Sequence, residues 1–116
     1  MKDLEGAKNF FMDYFGAEVY ATYNEEANHY YSYIMKLGEG AKLELMTKPE
    51  IVDQPKDPNR TGFVHICIKV DSREKLDEIV DRFHKENFHI FYEPATTGGH
   101  EVRAVTFEDL ILEVGC

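Results

Sequence analysis

Three side chains in this sequence could together hold a divalent cation: Glu44, His65 and Glu113. In residues 62–70, β-branched residues alternate with His65 and its odd-numbered neighbours, which predicts a buried strand with one inward histidine. Glu44 and Glu113 each stand between two aliphatic residues, so each carboxylate points away from an aliphatic face. If the aliphatic faces pack on helices, all three polar groups lie on the opposite face. Two carboxylates and an imidazole there suit Zn²⁺, Ni²⁺, Mn²⁺ or Fe²⁺. The alternative is a pair of solvated glutamates and a structural histidine.

Three further residues are candidates for binding a substrate. Arg60 and Arg103 could each anchor a carboxylate, because a guanidinium offers a bidentate fork, and the alternative for both is a solvated strand end. His100 follows two glycines and could line the mouth of a pocket or act as a ligand. The other histidines are interpreted as surface or structural, and the tyrosines at 30, 31 and 33 as half-buried packing.

Two amphipathic helices are predicted, each with its own end signals. Asp3 caps the first helix, which has aromatic residues at helical spacing, and Gly16 ends it. Asp71 and Glu74 predict a capping box at the start of the second helix, directly after the strand that carries His65. The predicted helices span residues 4–15 and 72–86.

Seven strands complete the predicted secondary structure, and they surround the candidate residues. The strands are predicted at residues 18–24, 30–37, 41–46, 62–70, 88–92, 102–107 and 110–114. Residues 47–61 contain three of the four prolines and are predicted to form a linker, 96–99 a loop, and 108–109 a tight turn.

The order of elements predicts a duplicated βαβββ unit. The caps Asp3 and Asp71 differ by 68 in sequence number, and Glu44 and Glu113 differ by 69 within similar aliphatic triplets. The same offset puts the first strand of the first unit upstream of Met1, so that strand is missing here. We therefore expect an α+β fold of paired βαβββ modules, forming a cup-shaped mixed sheet with helices outside. The predicted organisation is a single domain, 1–116, with module one at 1–48, a linker at 49–61 and module two at 62–116.

Composition narrows the classes of function. A length of 116 residues suffices for one packed domain, and the net charge of −9 argues against general nucleic-acid or anionic-membrane binding. No apolar run reaches the length of a membrane helix, and the first residues lack the apolar core of a signal peptide. Two widely separated cysteines, Cys67 and Cys116, predict neither a disulfide framework nor a metal knuckle. We therefore expect a cytoplasmic protein with reduced thiols.

Several motifs together resemble the vicinal oxygen chelate superfamily, which includes glyoxalase I (lactoylglutathione lyase), bleomycin-resistance proteins, extradiol dioxygenases and methylmalonyl-CoA epimerase. The resemblance covers nearly the whole chain. The motifs are Asp3-Leu4-Glu5 with the following Phe10-Phe11 and Tyr14-Phe15-Gly16, Leu43-Glu44-Leu45, Gly62-Phe63-Val64-His65-Ile66 and Leu112-Glu113-Val114.

The resemblance implies a ligand set and a reaction. It assigns Glu44, His65 and Glu113 as metal ligands, and Glu113 also as the base that moves a proton between adjacent carbons through an enediolate. The family's first histidine ligand has no position in this sequence, and the turn before the last strand lacks the family's proline and glycine. The rivals are a metal-free protein that binds a drug or metabolite, and a dioxygenase with two histidines and one glutamate on iron.

The resemblance also implies a homodimer, since modules in this family often complete a site across an interface. A sheet short of one strand gives a physical reason, because its unpaired edge is normally covered. For the start of the chain, we favour a true beginning upstream of Met1 over loss of the strand, which would cost ladder hydrogen bonds and buried area.

Overall fold

The structure is a computed structural model that describes residues 1–95 and 99–116; residues 96–98, in the predicted loop 96–99, lie outside the described residues. The chain divides into two compact units, Met1–Gln54 and Pro55–Cys116. In the described residues each unit has one α-helix and one sheet, so the predicted α+β class is confirmed. In the described residues, no helix combines the length and the apolar character needed to cross a membrane.

Unit 1 contains helix α1 (Leu4–Phe15) and strands β1 (Glu18–Glu25), β2 (Tyr30–Lys36) and β3 (Lys42–Thr47). The strands form an antiparallel sheet in the order β1-β2-β3. The helix has the predicted bounds: the Asp3 side chain accepts a hydrogen bond from the Gly6 N–H at 2.8 Å, and Gly16 ends the helix with φ 63°. Only a residue tolerant of the left-handed region suits that last position.

The core of unit 1 lies between α1 and the sheet, since α1 contacts β2 and β3. One apolar stripe of the helix is buried, as the sequence spacing predicted. The sheet contributes Met35 from β2 and Leu45 from β3. The buried helix residues are Ala7, Phe10, Phe11 and Tyr14.

Unit 2 contains β4 (Ile66–Lys69), α2 (Arg73–Lys85), β5 (His89–Tyr92), β6 (Glu101–Val105) and β7 (Ile111–Gly115). The strand order is β4-β7-β6-β5; β4 runs parallel to β7 and the other pairs are antiparallel. A short 3₁₀ turn, Phe107–Asp109, connects β6 to β7 and includes the predicted turn at 108–109. Its buried hydrophobic residues, among those described, are Leu76, Ile79, Phe83, Val102, Ala104, Leu112 and Val114.

The two units share one pairing register, as expected for a duplication. Ser32 pairs with Met46 in unit 1, and Glu101 pairs with Gly115 in unit 2. Each residue of the second pair follows its counterpart in the first pair by the same sequence offset that relates Glu113 to Glu44. Each sheet also has one irregularity in the strand that follows the helix. It lies between Val19 and Ala21 in β1, and between Ile90 and Tyr92 in β5.

The sequence offset predicted that the first strand of module one is missing, and the sheet of unit 1 contains no such strand. All residues of unit 1 are described. In unit 2, β4 pairs with β7, and just after β4 the Val70 N–H donates to the Gly115 carbonyl at 2.7 Å. In unit 1, the Met1 amine donates to the Met46 carbonyl at 2.8 Å, which is the equivalent bond at the same sequence offset. Strand β3 therefore has a strand partner, β2, on one side only.

The strand predicted at residues 62–70 is shorter in the structure. It spans only Ile66–Lys69, and His65 lies just before it. The prediction of a buried strand with an inward histidine was wrong, because His65 is exposed and Phe63 is 99% exposed. The predicted alternation persists, with even residues more buried than odd ones. The strand is short because its ladder with β7 begins at Ile66 opposite Leu112. The other strands begin and end close to their predicted bounds.

The predicted N-cap of α2 was also wrong: Ser72, and not Asp71, caps the helix. The Ser72 hydroxyl accepts a hydrogen bond from the Lys75 N–H at 3.1 Å. Both residue types favour the cap position, so sequence alone did not distinguish two adjacent candidates. The observed caps, Asp3 and Ser72, are related by the same offset as Glu44 and Glu113, which agrees with the register of the two sheets.

We predict that Ser72→Ala lowers the free energy of unfolding by about 1 kcal/mol, because the first turn of α2 loses its side-chain acceptor. Asp71→Ala is the matched control and should change the stability by less than about 0.5 kcal/mol, as for an ordinary surface substitution. Urea unfolding of both variants measures the difference. A larger loss for Asp71→Ala than for Ser72→Ala would contradict the observed cap.

Candidate functional site

The candidate site in unit 2 is organised around Glu113 in the middle of β7. Glu113 pairs with Cys67 of β4 on one side and with Arg103 of β6 on the other. Its chain neighbours Leu112 and Val114 are fully buried, and alternation turns the Glu113 side chain to the opposite face. Three strands therefore bring a carboxylate, a thiol and a guanidinium together on one face of the sheet.

His65 approaches the same carboxylate from the start of β4. Its Nε2 atom lies 3.7 Å from Glu113 Oε2, with the His65 side chain 46% exposed and the Glu113 side chain 20% exposed. An ion with metal–donor distances of about 2.0–2.2 Å can contact two donors at this 3.7 Å separation. A neutral imidazole nitrogen and a carboxylate oxygen are also ligands that divalent transition metals accept. The pair could therefore supply two of the ligands of a metal ion.

A complete ligand set is not present in unit 2. Among the residues that the structure describes in either unit, no group of three or more histidine, cysteine, aspartate or glutamate side chains is arranged to hold an ion. His65 and Glu113 thus require a further ligand from elsewhere to form a closed site.

Arg103 is a direct partner of Glu113. Its Nε lies 3.2 Å from Glu113 Oε2, its Nη2 donates to Glu101 Oε1 at 3.0 Å, and its guanidinium lies 5.3 Å from the centre of the Tyr92 ring. The planar guanidinium thus bridges two carboxylates while lying over an aromatic face, contacts that a lysine could not reproduce. Of the predicted substrate-binding residues, Arg103 is the one that contacts the Glu113 carboxylate.

The surroundings of Glu113 lower the pKa of its carboxyl below the ordinary value. Hydrogen bonding with Glu101 is the largest cause, followed by the Cys67 thiol and the nearby Arg103 and His65 side chains, while partial burial opposes them. Glu113 is therefore ionised at neutral pH. Both a metal ligand and a general base require that ionised form.

The pKa of the Cys67 thiol shifts in the opposite direction, above its ordinary value. Partial burial and then the hydrogen bond from Sγ to Glu113 Oε1, at 3.5 Å, raise the pKa of the thiol. The charge of Glu101 acts in the same sense, and the charge of Arg103 opposes it. Cys67 is therefore a protonated, weakly donating neighbour of the carboxylate.

A cavity of about 430 Å³ adjoins this cluster and contains the predicted residue His100. Cys67 and Glu101 belong to the wall of the cavity as well as to the surroundings of Glu113, so the two features are continuous. The other lining residues are Lys69, Tyr92, Gly99, Gly115 and Cys116.

Arg60 lies apart from these contacts. It is exposed at a turn of the segment before β4, where its backbone N–H donates to the Asp57 carbonyl at 3.4 Å.

Glu44 belongs to unit 1, in the middle of β3, and is exposed. The Tyr30 hydroxyl donates to Glu44 Oε1 at 2.5 Å. This hydrogen bond is the main cause that raises the pKa of Tyr30, so the phenol stays protonated and remains a donor. Two further tyrosines of β2 are each bonded to a glutamate: Tyr31 to Glu26, and Tyr33 to Glu5 of α1.

Sequence reasoning missed the partners of the two glutamates. Glu101, Arg103 and Tyr92 share a face with Glu113, and the odd-numbered positions of β6 could have indicated the first two. Tyr30 was interpreted as packing; its contact with Glu44 depends on the β2–β3 register, which pairs Ile34 with Glu44. A register of this kind is set by tertiary pairing and not by the strand pattern alone.

The family model of the glyoxalase/bleomycin resistance protein/dioxygenase superfamily matches residues 1–107. The chain belongs to this superfamily. That membership confirms the resemblance of the sequence motifs. No curated protein matches the chain.

Solved structures share the fold at low identity. A trypanothione-dependent glyoxalase I of Leishmania major is 20% identical with a TM-score of 0.77, and the match covers 99% of this chain and 79% of that one. A fosfomycin resistance protein, FosX, of Listeria monocytogenes, in a complex with Mn(II) and a dihydroxypropylphosphonic acid, is 17% identical with a TM-score of 0.70, covering 99% and 84%. A glyoxalase/bleomycin resistance protein/dioxygenase domain from Frankia is 16% identical with a TM-score of 0.78, covering 99% and 89%.

We predict that the pKa of Cys67 moves in opposite directions when its two charged neighbours are removed. Glu113→Gln should lower the pKa, because the thiolate loses an adjacent negative charge, and alkylation should then begin at lower pH. Arg103→Met should raise the pKa and shift alkylation to higher pH. The pH profile of iodoacetamide reaction measures both in a Cys116→Ser background, where one thiol remains. Shifts of the same sign would contradict the observed geometry.

Proposed function

We propose that this protein is a metal-dependent lyase or isomerase of the glyoxalase I type, acting on a small substrate with two neighbouring oxygens. The observation that supports it most directly is the 3.7 Å separation of His65 Nε2 and Glu113 Oε2 on one face of the sheet. Membership of the superfamily adds support, because the similar solved structures include a glyoxalase I and a fosfomycin resistance protein in complex with manganese.

In this proposal, Glu44, His65 and Glu113 are the ligands of one divalent ion. The candidates for the ion are Zn²⁺, Ni²⁺, Mn²⁺ and Fe²⁺. When bound, such an ion would act as a Lewis acid toward substrate oxygens.

Glu113 is the proposed base that moves a proton between adjacent carbons of the substrate. Its Oε1 is the better atom for this step, since Oε2 faces His65 and Arg103 while Oε1 contacts the weakly donating Cys67 thiol. Arg103 would orient the carboxylate during the transfer. Arg103 and His100, together with Arg60, are proposed to bind polar or anionic groups of the substrate.

A second candidate is a metal-free protein that binds a drug or metabolite, as bleomycin-resistance proteins do. The contact that favours it is the ion pair between Arg103 Nε and Glu113 Oε2 at 3.2 Å, because the guanidinium already neutralises the oxygen that faces His65. A binding protein would need the cavity beside Cys67 and no complete ligand set. Metal content separates the two candidates.

We predict that the purified wild-type protein binds one divalent ion per chain and that His65→Ala loses it, because removing one of few ligands costs much of the affinity. The matched control is His84→Ala, since His84 is exposed on α2 and pairs with Glu93. Mass-spectrometric metal analysis after dialysis against Mn²⁺ or Zn²⁺ measures the stoichiometry.

Turnover provides the second measurement. Glu113→Gln should abolish isomerisation of a methylglyoxal hemithioacetal, because the amide cannot accept the proton. Unchanged metal content in His65→Ala would count against the metal-dependent function, and a wild-type protein with a folded cavity but no bound metal would favour the metal-free candidate.

We also propose a homodimer and a cytoplasmic location. One edge of β3 has no strand partner in the unit 1 sheet, and a second copy could cover it, since proteins usually cover such edges. The free thiols of Cys67 and Cys116 fit a reducing compartment. Sedimentation equilibrium at micromolar concentration should give the dimer mass; a monomer there would rule out the proposed assembly.

A further inference from the structure

Lys69 and Glu101 border a gap on the face of the unit 2 sheet that carries Glu113. Both residues pair with Gly115 of β7, Lys69 from β4 and Glu101 from β6. Because side chains two residues apart on a strand share a face, this row lies beside the row that Glu113 occupies. The middle of the row is a glycine and has no side chain, so the space between Lys69 and Glu101 is open.

The cavity of about 430 Å³ includes this row in its wall. A Cβ atom at Gly115 would lie 3.3 Å from the His100 carbonyl oxygen and 4.0 Å from Glu101 Cβ, both of which belong to residues of the wall. The half-exposed ring of Tyr92 adds an aromatic surface. The volume is in the range of small-molecule sites, about 300–1,000 Å³. The glycine therefore leaves room for a ligand next to Lys69.

Lys69 supplies the cavity wall with an ammonium group that has no partner among the described residues, where it makes no hydrogen bond, ion pair or aromatic contact. The residue is also exposed. Arg103 differs, because its guanidinium already contacts Glu113 at 3.2 Å and Glu101 at 3.0 Å. Lys69 therefore adds a cation whose donors are available to a ligand in the cavity.

We propose that the unit 2 cavity binds a small molecule with one carboxylate group, and that the Lys69 ammonium binds this group. An ammonium is a compact charge with three donors, which suits a carboxylate. A singly charged group fits better than a doubly charged phosphate, because one cation balances it while Glu101 and Glu113 lie on the same face. The inference rests on the proposed function only in placing the substrate in this cavity, and it adds the charge that the substrate carries.

The experiment titrates the ¹⁵N-labelled full chain, after dialysis against a chelator, with lactate and with propane-1,2-diol. Amide signals are followed by nuclear magnetic resonance. The two probes have the same carbon skeleton and the same central hydroxyl, but only lactate carries a carboxylate. Wild type should bind lactate about tenfold more tightly than the diol, because the diol lacks the charge-assisted contact. The amides of His100 and Gly115 should shift most.

Three variants test the role of Lys69. Lys69→Met removes the charge at similar length and should weaken lactate binding by about tenfold without affecting the diol. Lys69→Arg keeps the charge and should retain most of the lactate affinity. Lys85→Met is the matched control, since Lys85 is an exposed lysine in the last turn of α2 and its loss changes the net charge equally. Thermal melting of each variant checks folding.

Several results would overturn the inference. Equal affinity of wild type for lactate and the diol would show that the cavity does not recognise the carboxylate. Equal lactate affinity in Lys69→Met and wild type, or equal weakening in Lys69→Met and Lys85→Met, would show that Lys69 does not bind it. Inorganic phosphate is the third probe, and tighter binding of phosphate than of lactate would contradict the preference for a single charge.

The titration separates this inference from the proposed function, because it requires neither a bound metal nor turnover. If the protein binds one divalent ion and isomerises the hemithioacetal, but lactate binding does not depend on Lys69, the inference fails and the metal-dependent function stands. If lactate binding depends on Lys69 and the protein binds no metal, the inference stands, the metal-dependent function fails and the metal-free candidate is favoured.

Discussion

Pairing of β7 on both sides is the constraint on which the candidate site depends. A parallel ladder to β4 sets Cys67 beside Glu113, and an antiparallel ladder to β6 sets Arg103 on its other side. The buried Leu112 and Val114 hold this register, because a slip of one residue would bury Glu113 and expose two core side chains. The position of the carboxylate therefore follows from the packing of the opposite face.

The duplication repeats this framework but changes the groups around the glutamate. In both units the glutamate lies at the same register position, yet its partner is Tyr30 in unit 1 and Arg103 in unit 2. Glu44 accepts from a neutral hydroxyl, whereas hydrogen bonds with Glu101 and Cys67 and the nearby Arg103 lower the pKa of Glu113. Equivalent backbone positions thus carry two carboxylates with chemically different surroundings.

Much of the fold could be predicted from local signals, and the site only in part. Helix α1 has its predicted bounds because Asp3 and Gly16 are unambiguous end signals, whereas adjacent cap candidates at Asp71 and Ser72 could not be separated. Alternation indicated the faces of Glu44 and Glu113. It could not limit β4 to Ile66–Lys69 or reveal the contacts of Tyr30 and Arg103, because strand length and cross-strand neighbours depend on ladders between distant segments.

The proposed function requires that Glu44, His65 and Glu113 share one divalent cation. An anomalous difference map, collected at the manganese edge from a crystal grown with Mn²⁺, tests it most directly. We expect a single peak within about 2.0–2.3 Å of a carboxylate oxygen of each glutamate and of His65 Nε2. A peak bound by one of these side chains alone, or no peak near any of them, would contradict it.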